Sequence, residues 1–176
     1  MLVLSDDDLK KYLAEEEFSI YPSPVEQAFN ANSIDLRLGS ILLKYLPQTT
    51  RLGRAEVETC EIDMEAEGEY VLAPGEFILG TTLEEVALSE RFAGRIETKG
   101  NIARAGISVH NNDGHIDPGF RGRITLEITN MQKDVFIRLF SGIYICQLFV
   151  YLLSSPSKQP YRGKYYGQDK PTPYRP

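Results

Sequence analysis

Polar and apolar residues alternate in many short stretches. Turn signals break the pattern roughly every 8–12 residues, the rhythm of an all-β sandwich or barrel. The clearest stretch is Ser33-Ile34-Asp35-Leu36-Arg37-Leu38-Gly39, whose period of 2 predicts a half-buried strand. Residues 41–46 continue in that style. Residues 70–72, the turn Pro74-Gly75-Glu76 and residues 77–82 read as strand, turn, strand. Residues 95–98, 107–110, 122–130, 135–139 and 143–153 are further strand candidates, and 19–21 is a short one stopped by Pro22 and Pro24. Residues 48–69 are polar and acidic and read as loop or weak strand. Helix is scarce. Ser5 followed by Asp8 is a helix start signal, with Leu9, Tyr12 and Leu13 at helical spacing and an end near Glu16. Residues 101–106 have room for one or two helical turns.

A chain of 176 residues makes one ordinary domain. At this size a compact fold buries roughly 70% of the surface its unfolded chain exposes, so a core forms without disulfides. The longest apolar run, residues 142–153, is interrupted by Gln147 and tyrosines, well short of the roughly 20 apolar residues of a membrane-spanning helix. The start, Met1-Leu2-Val3-Leu4-Ser5-Asp6-Asp7-Asp8, lacks the basic and apolar parts of a secretory signal. Cys60 and Cys146 stand far apart with no CxxC, which points to a reducing compartment and a cytoplasmic protein. Residues 1–90 hold 6 Lys/Arg against 19 Asp/Glu, and residues 91–176 hold 13 against 6; these charges of −13 and +7 make up the net −6. The basic half suits an anionic ligand, or complements the acidic half across a contact. A net −6 argues against a general nucleic-acid binder, whose affinity rests on neutralising phosphates.

From Ser154 the composition changes. The last 23 residues contain 5 Pro, 4 Tyr, 5 Lys/Arg and a single Asp, and such a segment buries no core of its own. The expected organisation is a domain over residues 1–153 and an arm over 154–176 that closes over a site, for which Gly163-Lys164-Tyr165-Tyr166-Gly167-Gln168 supplies aromatic, cationic and amide groups.

The residues argue against several chemistries. Only two histidines exist, His110 and His115, both in one loop, and the zinc deaminase pattern HxE…PCxxC is missing. Cys146 lies in an apolar strand and reads as inert core; Cys60 sits among acids that disfavour a thiolate. No phosphate-binding loop or dinucleotide fingerprint is present. One region is dense in reactive choices. Lys99-Gly100-Asn101 precedes a helical turn, where free backbone N–H groups suit phosphate oxygens, and Arg104 adds a second cation. In residues 124–129, Ile124, Leu126 and Ile128 share one strand face and Thr125, Glu127 and Thr129 the other. Glu127 is thus a carboxylate on a polar face, solvated in the open and a general base in a pocket.

These segments carry a resemblance. Leu4-Ser5-Asp6, Ser33 through Gly39, Pro74-Gly75-Glu76-Phe77, Ile116-Asp117-Pro118-Gly119-Phe120 followed by Gly122 and Ile124-Thr125-Leu126-Glu127, and the tail from Tyr161 to Gln168 resemble, over nearly the whole chain, the dCTP deaminase branch of the dUTPase/dCTP deaminase superfamily. The resemblance implies an all-β fold, the distorted β-barrel of the dUTPase-like β-clip, with a short N-terminal helix and an extended C-terminal arm. It implies a homotrimer with sites between subunits, and zinc-free hydrolysis of dCTP to dUTP and ammonia, with continuation to dUMP and pyrophosphate left open. Glu127 takes the place of the carboxylate that moves the proton, and Arg104 that of the arginine orienting the site. Lys99, Gly100 and Asn101 match the phosphate segment. Ile116, Asp117 and Phe120 match the segment beside the deoxyribose, and Tyr161, Lys164 and Gln168 match nucleotide-closing residues of the arm. Mg2+ is implied as a companion of the triphosphate, and dTTP as an inhibitor acting through the loop at His110-Asn111-Asn112.

This chain departs from the family pattern in two places. Gly100 replaces the usual first serine before the helical turn, and Asp113 stands where a small residue is usual. For Asp113 three roles stay open: binding the cytosine amino group, assisting catalysis, or facing water. His115 stands where members that only deaminate often carry Arg and bifunctional members often an aromatic residue, so the product is left open. Two other functions also stay open: a dUTPase, for which Asp117 falls at a catalytic position, and a nucleotide-binding paralogue that is non-catalytic or acts on a modified pyrimidine nucleotide.

Overall fold

The computed structural model describes residues 2–53 and 57–176. In chain order the elements are β1 (Leu2–Val3), α1 (Asp6–Ala14), β2 (Phe18–Tyr21), β3 (Phe29–Asn30), β4 (Ser33–Arg37), β5 (Ile41–Tyr45), β6 (Thr59–Asp63), α2 (Met64–Glu67) and β7 (Tyr70–Leu72). There follow β8 (Phe77–Leu88), β9 (Phe92–Thr98), α3 (Gly100–Arg104), β10 (Ile107–Ser108), β11 (His115–Ile116), β12 (Arg121–Asn130), β13 (Ile137–Leu139) and β14 (Tyr144–Leu152). One sheet has the order β11-β9-β14-β4-β3 with β1 on β14; the other has β10-β12-β8-β5-β6 with β2 on β8. A two-stranded sheet joins β13 to β7. The fold is mostly β, as expected, a distorted barrel of two facing sheets. Among the described residues no helix is long and apolar enough to cross a membrane.

The core lies between the sheets. Leu36 and Leu148 from one sheet and Leu42, Ile78, Leu126 and Ile128 from the other are buried there. The sheets meet where Gly39 N donates to Thr81 O at 2.8 Å, beside a bridge between Leu38 and Thr82. Helix α1 starts as expected, with the Ser5 hydroxyl accepting from Asp8 N at 3.3 Å. It seals one end of the core through Leu9 and through Tyr12, whose ring stands edge-on to Phe92 at 5.1 Å.

The long pair β8–β12 organises the second sheet. Its register runs from Arg121↔Ala87 to Thr129↔Phe77 and shifts between Arg123 and Thr125. The Thr82 hydroxyl fills that irregularity, accepting from Ile124 N at 2.9 Å and donating to Glu84 O at 2.7 Å. The unpaired backbone groups of the bulge therefore stay satisfied while the strand bends.

Two sequence expectations need correction and a third is borne out. Ser33–Arg37 is buried on both faces, not half-buried, because β4 lies inside its sheet and its polar face meets other polar groups: Asp35 Oδ1 accepts from Asn30 Nδ2 at 2.9 Å and Gln147 Nε2 at 3.2 Å. Residues 70–72 and 77–82 are strands joined by a turn, as expected; the two strands do not pair with each other, since β7 pairs with β13, and β8 runs on to Leu88. The polar stretch 48–69 contains a regular strand, β6, and the turn of helix α2; its residues 54–56 lie outside the described residues.

The turn that sends β7 and β8 into different sheets is held by Glu76. Its carboxylate accepts from Ala73 N at 2.8 Å, Tyr70 Oη at 2.6 Å and Lys44 Nζ at 2.6 Å. Burial alone pushes the Glu76 carboxyl up, but the hydrogen bonds from Lys44, Tyr70 and Ala73 outweigh it and hold it below the ordinary 4.5. Burial, and then the hydrogen bond to Glu76, push the Tyr70 hydroxyl up to about 12. A carboxyl with a depressed folded pKa stabilises fully above its unfolded value and loses that contribution as pH falls through the folded value. Glu76→Gln should therefore lower urea stability at pH 7 by roughly 1–3 kcal/mol. The gap to wild type should close as pH falls from about 5 towards 3; a gap independent of pH would show that the charge of Glu76 contributes nothing.

Candidate functional site

Alternation along β12 sends Ile124, Leu126 and Ile128 into the core and leaves Thr125, Glu127 and Thr129 half-buried on the other face. Glu127 stands opposite Leu79. Its backbone N donates to Val109 O at 2.8 Å, and its Oε2 accepts from Asn111 N at 2.9 Å. Asn111 Oδ1 in turn accepts from the Thr129 hydroxyl at 3.3 Å. The loop after β10 is thus stitched onto the polar face of β12, and one oxygen of Glu127 is fixed by a backbone donor.

Glu127 opens into a cleft of about 850 Å³. Leu79 and Thr125 lie beside it, and Tyr45 and Phe77, stacked at 5.7 Å, close one part. The loop after β10 adds Val109, His110 and Asp113. His115, Ile116 and Asp117 follow, with Asp117 Oδ1 3.3 Å from His115 Nε2, and Phe120 presents a buried ring 6.3 Å from that of Tyr161. His110 Nε2 is 3.1 Å from Glu97 Oε2, and its buried Nδ1 has no partner among the described residues. Burial raises the Glu97 carboxyl, but Arg95 and His110 outweigh that and hold it below the ordinary range.

Residues 161–176 fold back over this cleft in the same chain. Tyr161 N donates to Pro118 O at 2.7 Å, and Tyr165 N to the Tyr161 hydroxyl at 3.1 Å. Gln168 makes a parallel bridge to Gly122: Arg123 N donates to Gln168 O, and Gln168 Nε2 donates to Arg123 O, both at 2.8 Å. Lys164 donates to Arg175 O and lies near the Tyr165 and Tyr174 rings, at 5.7 and 5.9 Å. Thr172 N reaches the Thr125 hydroxyl at 3.4 Å, so the last residues rest on β12 beside Glu127.

The structure therefore brings Glu127, Asp113, His115, Ile116 and Asp117 together with Phe120, Tyr161, Lys164 and Gln168. It leaves Lys99, Gly100, Asn101 and Arg104 outside this cleft, on and beside α3. Lys99 is not a free cation in this chain: its Nζ is held by Asp35. Arg104 Nη1 donates to Gly100 O at 3.0 Å, and a Cβ at residue 100 would come within 3.2 Å of that nitrogen. Glycine at this position and the folded-back arginine thus fit one another. Cys146 is buried, and burial pushes its thiol far up, in keeping with an inert core residue; Cys60 is exposed.

Sequence reading missed Tyr45, Phe77 and Tyr174 as lining residues, while Tyr165 belongs to the arm run that it singled out. Only the pairing of β5 with β8 and the return of the tail put these rings together, and neither is a local signal. Gln147 was also missed as a partner of Asp35, although a glutamine inside an apolar strand was a readable sign.

A mostly β protein with a carboxylate-bearing, aromatic-walled cleft, covered by its own C-terminal segment, is the class these features define. Residues 3–153 match the family model described as dCTP deaminase-like. The chain is 38% identical over 188 residues to "dCTP deaminase, dUMP-forming" of Dictyoglomus thermophilum, covering 99% of this chain and 94% of that protein. It is 38% identical over 184 residues to the protein of the same description from Methanosphaera stadtmanae, with 97% and 92% covered. Among solved structures, the 2'-deoxycytidine 5'-triphosphate deaminase of Agrobacterium tumefaciens superposes with a TM-score of 0.67 at 19% identity. That superposition covers 85% of this chain and about half, 47%, of the other, and shows the likeness of fold. The chain belongs to the dCTP deaminase-like family.

The seating of the tail depends on Gly122. Its φ of +140° is one that side chains rarely adopt, and a Cβ there would lie 2.7 Å from Gln168 O. Gly122→Ala should release residues 161–176, so limited proteolysis should remove the tail several-fold faster while the remaining domain resists; unchanged cleavage would mean that the bridge to Gln168 does not hold the tail.

Proposed function

We propose that this protein deaminates dCTP by hydrolysis and carries the nucleotide on to dUMP and pyrophosphate. The observation that carries the reading is the carboxylate of Glu127, set in the cleft by Asn111 N–H and unpaired to any cation among the described residues. The relatives at 38% identity, each described as dUMP-forming, support the product.

In the first step Glu127 accepts a proton from water as the water oxygen bonds to C4 of the cytosine. Glu127 passes that proton to N3 of the ring, the remaining proton of the new C4 hydroxyl passes by way of Glu127 to the exocyclic nitrogen, the C4–N bond breaks, and ammonia leaves as C4 becomes a carbonyl. General acid–base catalysis of this kind contributes typically 10²–10⁴-fold. The buried Phe120 ring and Tyr161 pack the sugar and base, and the tail excludes water. In the second step water displaces pyrophosphate from the α-phosphorus of dUTP.

Among the described residues of the cleft, Lys164 is the one lysine or arginine set against three carboxylates, and a triphosphate calls for more positive charge than it supplies. Asp113, Asp117 and Glu127 line the cleft, and Lys164 is engaged by Arg175 O. The basic groups Lys99 and Arg104, with the backbone N–H groups of Gly100 and Asn101, stand on another part of the surface. A homotrimer in which α3 of one copy meets the cleft of the next supplies them, with Lys164 and Gln168 of the arm closing over the phosphates. Mg2+ arrives on the triphosphate. The free cysteines fit a cytoplasmic setting.

The test follows ammonia and pyrophosphate separately from dCTP and from dUTP. Glu127→Gln should lower ammonia release by at least about 10²-fold while dCTP binding, measured by calorimetry, changes little. Undiminished ammonia release would remove Glu127 from the chemistry.

A further inference from the structure

Asp113 lies in a stretch of loop that the chemistry above does not use, yet it lines the same cleft as Glu127. Two contacts orient that loop. Asn111 N binds Glu127 Oε2 at 2.9 Å, and two residues on, Asp113 Oδ1 accepts from His115 N at 3.3 Å. The second contact closes a short turn on the side chain of Asp113, and Oδ2 takes no hydrogen bond from any described residue. Gly114, between them, is pinned by its carbonyl to Ile96 N at 2.8 Å, and a Cβ there would lie 2.6 Å from Ile96 O. Asp113 is thus carried on a fixed backbone, with one carboxylate oxygen oriented and the other available to a ligand.

Resting on the function proposed above, we infer that Asp113 is a specificity-determining residue that, with Glu127, makes the cleft prefer an amino-bearing pyrimidine to a keto-bearing one. An exocyclic amine has two N–H donors and no competing acceptor at that position. Two carboxylates, one from β12 and one from the loop stitched to it, satisfy both donors. Asp113 is exposed in the single chain and becomes covered only when a nucleotide fills the cleft; a uracil base then brings a carbonyl oxygen against acceptors only, and a polar group covered without a partner is costly. Free dUTP is then a poor ligand. The dUTP formed in place is held by its sugar, its phosphates and the closed arm, and proceeds to dUMP.

The experiment measures binding of dCTP and of dUTP, each with Mg2+, by rapid mixing before turnover, to the parent protein with Glu127 in place and to the same protein carrying Asp113→Asn or Asp113→Ala. Asn keeps an oxygen for His115 N, so the turn persists, and it adds a donor for a uracil carbonyl. The parent should prefer dCTP. With Asp113→Asn the ratio of dCTP to dUTP affinity should fall about tenfold, the size of one charge-assisted hydrogen bond, largely through tighter dUTP. With Asp113→Ala the ratio should fall through weaker dCTP. A merely structural role would weaken both nucleotides together and leave the ratio unchanged, and that result overturns the inference. A parent that binds dUTP as well as dCTP overturns it too. A parent that binds neither nucleotide and releases no ammonia from dCTP brings down the proposed function itself, an outcome distinct from an unchanged ratio.

Discussion

The antiparallel pairing of β12 with β8 is the constraint on which the rest depends. Register is set by burial: Ile124, Leu126 and Ile128 are inside, and a slip by one residue would turn all three outward and bring Thr125, Glu127 and Thr129 into the core. At about 1.5–3 kcal/mol for each large apolar side chain exposed, and more for a carboxylate left unpaired inside, the slip is prohibitive. The same energetics that place the aliphatic residues place the acid in the cleft. The irregularity between Arg123 and Thr125 then bends the strand where the tail docks, and the backbone of Arg123 and Gly122 becomes the seat for Gln168.

Charge explains how the parts are distributed. A triphosphate oxygen 4 Å from a carboxylate is repelled by roughly 4 kcal/mol at an effective dielectric of 20, so Asp113, Asp117 and Glu127 oppose the phosphates while Lys164 of the arm favours them. The walls of the cleft suit the neutral parts of the ligand, the base and sugar, against Phe120 and Tyr161. Further cations stand on and beside α3, where Lys99 is tethered to Asp35 and Arg104 to Gly100 O. Separation of acid and cation within one chain, and their union between copies, is the proposed reason for assembly. It also gives a use to the contrast between an acidic first half and a basic second half.

Elements with a local cause were legible in the sequence. The Ser5 cap, the strand alternation of residues 122–130 and the acid at Glu127 each follow from neighbours a few residues away. What escaped was non-local. The turn at Pro74-Gly75-Glu76 was legible, but not that Lys44, thirty-two residues earlier in the chain, adds its charge to Glu76 or that β13 takes β7 as its partner. Asp35 read as the solvent-facing side of a half-buried strand, because Asn30, Gln147 and Lys99, which satisfy it, come from three other segments. Of the residues that match family motifs, Glu127, Asp117, Phe120, Tyr161, Lys164 and Gln168 line the cleft and Lys99, Gly100, Asn101 and Arg104 do not, whereas Tyr45 and Phe77 needed the sheet order to be known. The direction of the tail, back over its own chain, rests on contacts of Tyr161 and Gln168 with the backbone of residues 118–123 that no composition reveals.

The central claim is that an acid on β12 meets the amine-bearing carbon of a pyrimidine in a cleft completed by a second copy. The most direct measurement is a crystal structure of Glu127→Gln protein with dCTP and Mg2+. The account places C4 of the base within one water of residue 127, and the triphosphate against α3 of a neighbouring copy. A nucleotide bound away from residue 127, or phosphates held without any contribution from a second chain, would contradict it.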